Sequence, residues 1–547
     1  MEIPSFKFAS IGFLLSAGLF FPAFPCSAAY VRGELVWKCD FTPEEAARCG
    51  VAECRPDELG RGAAYEPHGG AGGDGALRFH SPAQNYEIKI SVKPDVPLTG
   101  MLLVEADVKG VGIGDGIHPW NGAKVMMPFT PPGKAVQYPQ TPNETGSFDW
   151  KTWTMVRDFG KPADGPKLVL GLEFAAGEFQ VDAVRIYQVR EVPDDEVVPP
   201  AVNEAAARIP RGAFAGHHNP SARRGTMVGY RMEEEDVSTL ASWGANLIRL
   251  QIGGTEMIRA SSTEDWFVAL SNRLDWCEGV MDRCARHGIK VVLDLHVGPA
   301  CVVSKNAANL IPKDYLGRGY DTTDLIRAWR IIATRFRNHP ATFGYDILNE
   351  PSTDPETWRD ICRKVIAAVR PIDPKTPFVV QIPGVTDKAR YRLDEPNVIY
   401  SPHFYSPQEL THCGVGTAND IRWSYPGYIN GVWWDKEQVR VALKPWIEFQ
   451  QAHPDAPILV GEFSCILWSK GADKWIRDSI EIFEEYGWSW CYHAYREWPA
   501  WDVEYTNDEG WNLGKWIKAE GDTDRKRELL KGLSHNTRAA GDEVGVE

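Results

Sequence analysis

From about residue 209 onward, short near-continuous apolar runs alternate with stretches of helical periodicity, and this pattern constrains the fold more than any other feature. The runs occupy residues 246–250, 291–296, 343–348, 378–381, 398–404, 458–462 and 489–495. Helical spacing fills 266–286, 324–336 and 355–369, with Gly288 just past the end of the first as a stop signal. Strands that are apolar on both faces and separated by helices belong to a parallel sheet covered on both sides. With a first strand near 212–216, the count reaches eight units. The prediction is therefore an α/β fold, a (β/α)8 TIM barrel over 209–535, rather than an open doubly wound sheet. No glycine-rich dinucleotide turn follows any of these runs.

Upstream the texture differs. Residues 30–190 are rich in Gly and Pro, and runs such as 86–92 and 101–108 alternate with the period of two expected of half-buried strands. An all-β sandwich is predicted there. Its closing strand, 179–186, has the texture of carbohydrate-binding modules, and Trp120, Tyr138, Trp150 and Trp153 are candidates either for sugar stacking or for packing. The acidic, Pro-rich stretch 191–208 reads as a linker and 536–547 as a tail. At the very start, Lys7, an apolar run over 11–24 and the small residues Cys26-Ser27-Ala28-Ala29 read as a secretory signal over 1–29, which predicts an extracellular or periplasmic protein.

Composition narrows the function classes. A net charge of -15 over 547 residues argues against nucleic acid or an anionic membrane surface as partner. The 21 Trp exceed ordinary core use and raise the possibility of flat platforms for sugar rings. Export permits disulfides, and Cys39, Cys49 and Cys54 are close enough in sequence for one local bridge. No Cys/His grouping has zinc spacing, so no metal or other cofactor is expected.

Two runs end on a glutamate: Asp346-Ile347-Leu348-Asn349-Glu350-Pro351 and Ile458-Leu459-Val460-Gly461-Glu462-Phe463. A carboxylate at the mouth of a buried strand is costly unless it is paired or does chemistry. Two of them point to a two-carboxylate hydrolase, and glycoside cleavage is the reaction that most needs the pair. In a barrel the active residues stand at the C-terminal strand ends. Those ends carry His217-His218, Arg249, His296, Asn349-Glu350, His403, Tyr405, Glu462 and the segment from Trp490 to Trp498.

On these motifs, supported by Ile248-Arg249-Leu250, Asp294-Leu295-His296 and His403-Phe404-Tyr405, the chain resembles the family 5 glycoside hydrolases, the cellulase family of retaining barrel enzymes, over about 209–535. The resemblance implies Glu350 as acid/base after the fourth strand and Glu462 as nucleophile after the seventh. Arg249, His296, Asn349, His403 and Tyr405 become supporting positions, with Trp490 or Trp498 as the floor of the cleavage subsite. Glu497 reads as a further rim or substrate contact. The aromatic insertion with Trp423, Tyr425, Tyr428, Trp433 and Trp434 reads as a cleft wall or a packed loop. The expected protein is a secreted, monomeric retaining β-glycanase acting on a β-1,4-linked polysaccharide or oligosaccharide, cellulose-like glucan first. A β-mannanase, an exo-β-glucosidase and a non-catalytic carbohydrate-binding protein on a degenerate barrel stand as alternatives.

Overall fold

The computed structural model describes residues 28–536 apart from 115–120, 134, 142–143, 163–165, 194–196, 198, 201, 300–312, 384–387, 416–422 and 508–514. The signal segment through residue 27, Trp120, Cys301 and the tail from 537 lie outside the described residues.

Eight parallel strands form the second half: β1 (Arg224–Val228), β2 (Leu247–Gln251), β3 (Lys290–Asp294), β4 (Thr342–Asp346), β5 (Phe378–Val380), β6 (Val398–Tyr400), β7 (Leu459–Val460) and β8 (Ser489–Tyr492). They pair in the order β6-β5-β4-β3-β2-β1-β8-β7. A parallel bridge between Tyr400 and Ile458 joins the two ends, and His403-Phe404 pairs with Glu462-Phe463 just beyond it, so the ring closes. The first strand is Arg224–Val228, not 212–216, which forms turns. Arg224 disguises it: a fully buried guanidinium opens a strand whose sequence reads as polar.

Helices α1 (Glu234–Ser242), α2 (Thr263–Arg286), α3 (Thr322–Phe336), α4 (Pro355–Val369), α5 (Lys444–Ala452), α6 (Ala472–Glu485) and α7 (Asp524–Leu533) surround the ring. Their starts are set locally. In α4, for example, the Asp354 side chain accepts the Thr357 N–H and Pro355 occupies the first turn, where its missing N–H costs nothing.

The period of two along each strand sorts the residues. Inside the ring, Leu247, Val292, Val379, Ile399, Leu459 and Cys491 form a small apolar plug with Phe343. The alternate residues, among them Ile248, Leu250, Leu293, Val398 and Trp490, face outward and merge with the helices into the main core. Two residues above the plug, towards the C-terminal ends, the inward positions turn polar: Arg249 above Leu247, Asp294 above Val292, Gln381 above Val379, Ser401 above Ile399 and His493 above Cys491. Gly461 holds the equivalent position above Leu459. A Cβ there would stand 2.5 Å from the Ser401 hydroxyl and 3.0 Å from His403 Nε2, so only glycine lets β7 give way to the Glu462 segment.

The N-terminal region is antiparallel throughout. One sheet orders the strands Gly62–Glu66, Ala76–Ser81, Gly177–Pro193, Met101–Ile113 and Gly146–Asp158, with Ala28–Cys39 also paired to Gly177–Pro193. A second sheet orders Glu87–Val92, Leu168–Glu173 and Gly122–Met126. Their inner faces share one apolar core. Trp153 belongs to that core, 6% exposed and stacked 5.4 Å from Phe179, whereas Tyr138 is exposed. The last strand of the first sheet continues three residues into the stretch read as linker.

The aromatic insertion between β6 and β7 is a docking element, not a cleft wall. Its hairpin, Gly427–Ile429 with Val432–Trp434, brings Asn430 Oδ1 to the Val156 N–H at 3.2 Å and Gly431 against Leu103. Trp423 is buried with its ring 5.7 Å from that of Tyr30 on the first sandwich strand. Trp423 is consumed by packing between the two halves, while Tyr425 donates to Asp478 on α6 at 2.7 Å and Trp433 to Asp435 at 3.0 Å.

Candidate active site

Arg249 organises the C-terminal mouth of the barrel. Its side chain is fully buried, and the guanidinium fork spends its donors in three directions. Nε donates to Asp346 Oδ2 at 2.9 Å, Nη1 to Glu462 Oε1 at 2.7 Å and Nη2 to Asn349 Oδ1 at 2.9 Å, with Asp294 Oδ1 also 2.9 Å from Nη2. Asp294 and Asp346 are themselves fully buried. Charges so placed persist only because each is paired and hydrogen-bonded, and those contacts orient the cluster.

Glu462 receives two donors, Arg249 on Oε1 and the Tyr405 hydroxyl on Oε2 at 2.7 Å. Burial pushes its pKa up, but the charges of His403, His493, Arg249 and His296 more than cancel this and hold the carboxyl well below the usual range. The same negative charge, added to burial, drives the Tyr405 phenol well above its ordinary value, so the hydroxyl stays a donor.

Glu350 sits differently. Its side chain is 46% exposed and its backbone takes a left-handed φ of 44°, a costly conformation for a residue with a Cβ. The Glu350 N–H donates to Gln381 Oε1 at 3.1 Å, which pins the strained residue to the end of β5. His403 Nδ1 lies 3.0 Å from Glu350 Oε1 and 3.6 Å from Glu462 Oε2. Carboxylate oxygens of the two glutamates and a ring nitrogen of His403 all fall within 4.8 Å of one another. A buried, ionised carboxylate thus faces a solvent-accessible one across a gap the width of a reacting carbon.

With this geometry in place, the sequence comparison is decisive: the model of Cellulase (glycosyl hydrolase family 5) matches residues 217–498. The chain belongs to glycosyl hydrolase family 5. It is 23% identical over 294 residues to Endoglucanase C of Acetivibrio thermocellus, spanning 46% of this chain and 80% of that protein. It is 26% identical over 202 residues to Cellodextrinase A of Ruminococcus flavefaciens, spanning 35% and 56%. Among solved structures, Cel5A of Thermotoga maritima with cellobiose is similar at 18% identity and a TM-score of 0.43, covering 58% of this chain and 98% of that one.

The family 5 barrel gathers Arg249, Asn349, Glu350, His403, Tyr405 and Glu462 at one point, and places His296 beside them. His296 Nδ1 lies 2.8 Å from Asp294 Oδ2. Burial lowers the pKa of this ring, yet Asp294 outweighs it and the net shift is upward.

The two tryptophans lie elsewhere. Trp490 is fully buried on the outward face of β8, and its indole N–H donates 2.9 Å to Glu484 at the end of α6. Parity is the reason: Cys491 points into the ring, so the residue before it must point out. Trp498 is half-buried in a rim cluster, its ring 5.7 Å from Trp501 and 6.2 Å from Trp468. Among the described residues, Trp501 is the tryptophan whose ring meets Tyr405, at 6.5 Å. His493 is the β8 residue that faces the site, and the sequence held the signal, two residues after inward Cys491. Asp346 and Asp294 were equally legible as the residues that precede Asn349 by three and His296 by two.

His218 does not stand at a catalytic strand end. It meets Glu484 at 3.0 Å at the opposite mouth, where both Glu484 oxygens also accept from Arg224 at 2.6 Å. His218, Glu484 and His535 form the other grouping of metal-ligating atoms among the described residues. In each grouping the buried carboxylate is already committed, Glu484 to Arg224 and Glu462 to Arg249 and Tyr405.

Proposed function

We propose that this family 5 hydrolase is an exported retaining β-glycanase that cleaves β-1,4-linked polysaccharide, cellulose-like glucan first, with Glu462 as nucleophile and Glu350 as acid/base. The observation that carries the reading is the spacing of the two glutamates, with oxygens within 4.8 Å. Retaining glycosidases hold their carboxyl groups about 5–5.5 Å apart, whereas inverting ones leave about 6.5–9.5 Å for a water. The names of the relatives, an endoglucanase and a cellodextrinase, support a β-glucan substrate.

The chemistry follows from the electrostatics. Glu462, kept ionised by Arg249 and Tyr405, attacks the anomeric carbon while protonated Glu350 delivers its proton to the departing glycosidic oxygen. Bond formation consumes the Glu462 charge, so Glu350, now a carboxylate with His403 Nδ1 3.0 Å away, takes a proton from water that attacks the glycosyl-enzyme. Asn349, oriented by Arg249, supplies an amide for the sugar 2-hydroxyl, a contact that tightens as positive charge develops on the ring.

The test is product analysis on β-glucans, β-mannans and xylan, with the anomer of the first-formed product followed by NMR, beside Glu350→Gln and Glu462→Gln. A β product from a β-glucan and losses of about 10³-fold or more in both variants are expected. An α first product, or a variant that keeps near wild-type rates, refutes the mechanism.

A further inference from the structure

One carboxylate at the catalytic mouth takes no part in the reaction above. Glu497 follows β8, and its Oε2 accepts a 2.9 Å hydrogen bond from Gln251 Nε2. Gln251 is 4% exposed and stands two residues beyond Arg249, so it faces the same interior. His493 Nε2 is 3.9 Å from the same oxygen, too far for a hydrogen bond. Glu497 Oε1 has no partner among the described residues, and the side chain is 20% exposed. The nearby cation, Arg273, is turned away, donating to the Gln251 and Gly229 carbonyls instead. Tyr230 and Tyr315 are exposed by 40% and 36%; burial raises the Tyr230 phenol and the charge of Glu497 adds to it, while at Tyr315 burial and then the charge of Asp314 come ahead of Glu497. The Tyr315 ring lies 5.1 Å from that of His296.

Ring position says which part of the substrate lies here. The leaving group departs past Glu350 at the end of β4. In an eight-strand ring β8 stands diametrically opposite β4, so a sugar chain across the mouth carries its glycone towards Glu497. An acceptor with a spare oxygen, fixed by a buried amide, matches the hydroxyls of a neutral sugar.

We propose that Glu497, held by Gln251, is a specificity-determining residue that accepts a glycone hydroxyl of a neutral sugar. The proposal rests on the retaining-hydrolase reading above. It also implies that a uronate at this position is disfavoured by like charge.

The experiment is a cycle between residue and substrate hydroxyl. kcat/KM is measured for wild type, Glu497→Ala and Glu497→Gln on an aryl β-cellobioside and on analogues each lacking one hydroxyl. Removing the hydroxyl that Glu497 reads lowers the wild-type value at least about tenfold, while the same removal costs Glu497→Ala less than about twofold, because the contact is already gone. Glu497→Gln, which keeps an acceptor without the charge, shows an intermediate penalty and serves if the alanine variant does not fold. Deoxy penalties identical in wild type and variants, with the parent glycoside still cleaved, overturn the proposal and leave Glu497 as a prop for Gln251. A wild-type enzyme inert on the parent overturns the glucanase reading and this proposal with it.

Discussion

Replacing Arg249 with lysine keeps the charge and removes the fork. The guanidinium reaches Asp346, Glu462 and Asn349 at 2.9, 2.7 and 2.9 Å from separate nitrogens. An ammonium is a single point on a flexible stem and cannot span the same three acceptors. The contacts to Glu462 and Asn349 bear on the reaction, and hydrogen bonds to charged groups contribute about 1.5–3 kcal/mol each. Even if the ammonium recovers part of this, about 3 kcal/mol is lost at Glu462 and Asn349, which corresponds to roughly 100-fold in kcat/KM. The pH dependence carries a second signature. Glu462 has a lowered folded pKa, so its contribution to stability is present above its ordinary value of 4.5 and is lost as pH falls towards the folded pKa. Arg249→Lys therefore shows its full stability deficit above about pH 4.5 and a smaller one in acid, and the acid limb of its kcat/KM profile moves to higher pH. The assay is kcat/KM on an aryl β-cellobioside across pH, beside thermal unfolding by circular dichroism. A variant within threefold of wild type with an unmoved acid limb refutes the argument that the fork sets the Glu462 charge and position.

Other outcomes follow from the same contacts. Asp294→Asn removes the partner that raises His296. A raised histidine stabilises fully below its ordinary 6.5 and loses that effect as pH rises through its folded pKa, so the urea-midpoint deficit of the variant is larger near about pH 5.5 than near about pH 8.5. Arg224→Met leaves Glu484 buried without its guanidinium and costs about 3–5 kcal/mol of stability, while kcat/KM of the folded enzyme stays near wild type because the pair lies at the mouth opposite the reaction. Asn430→Ala removes the acceptor for the Val156 N–H and loosens the seat of the hairpin, read as faster limited proteolysis within 423–434 with unchanged kcat.

Much of the site was legible before any coordinates. Glu350 and Glu462 each end an apolar run, and Arg249 interrupts one near its end, so strand order alone ranks them around the ring. The misplaced first strand was hidden by buried Arg224, and the last strand failed on phase. Segment 488–498 alternates Trp488, Trp490 and Tyr492 with Ser489, Cys491 and His493, and the alternation alone does not say which set faces the axis. The plug residue Cys491 fixes it, which turns Trp490 outward and His493 inward. The insertion at 423–434, read as a cleft wall or a packed loop, proves to be packed: aromatic content shows that a surface will be covered, not by what.

The sequence by itself determined that residues beyond about 209 form a covered parallel sheet and that two glutamates stand at strand ends. Those are consequences of local periodicity and of the cost of a carboxylate beside apolar residues. Only the tertiary structure decided that Glu350 and Glu462, 112 positions apart in the chain, bring their oxygens within 4.8 Å. It also gave one arginine four partners, Asp294, Asp346, Asn349 and Glu462, from three strand ends. Ring closure through the Tyr400–Ile458 bridge sets those distances, and no local stretch of sequence encodes the closure of a ring.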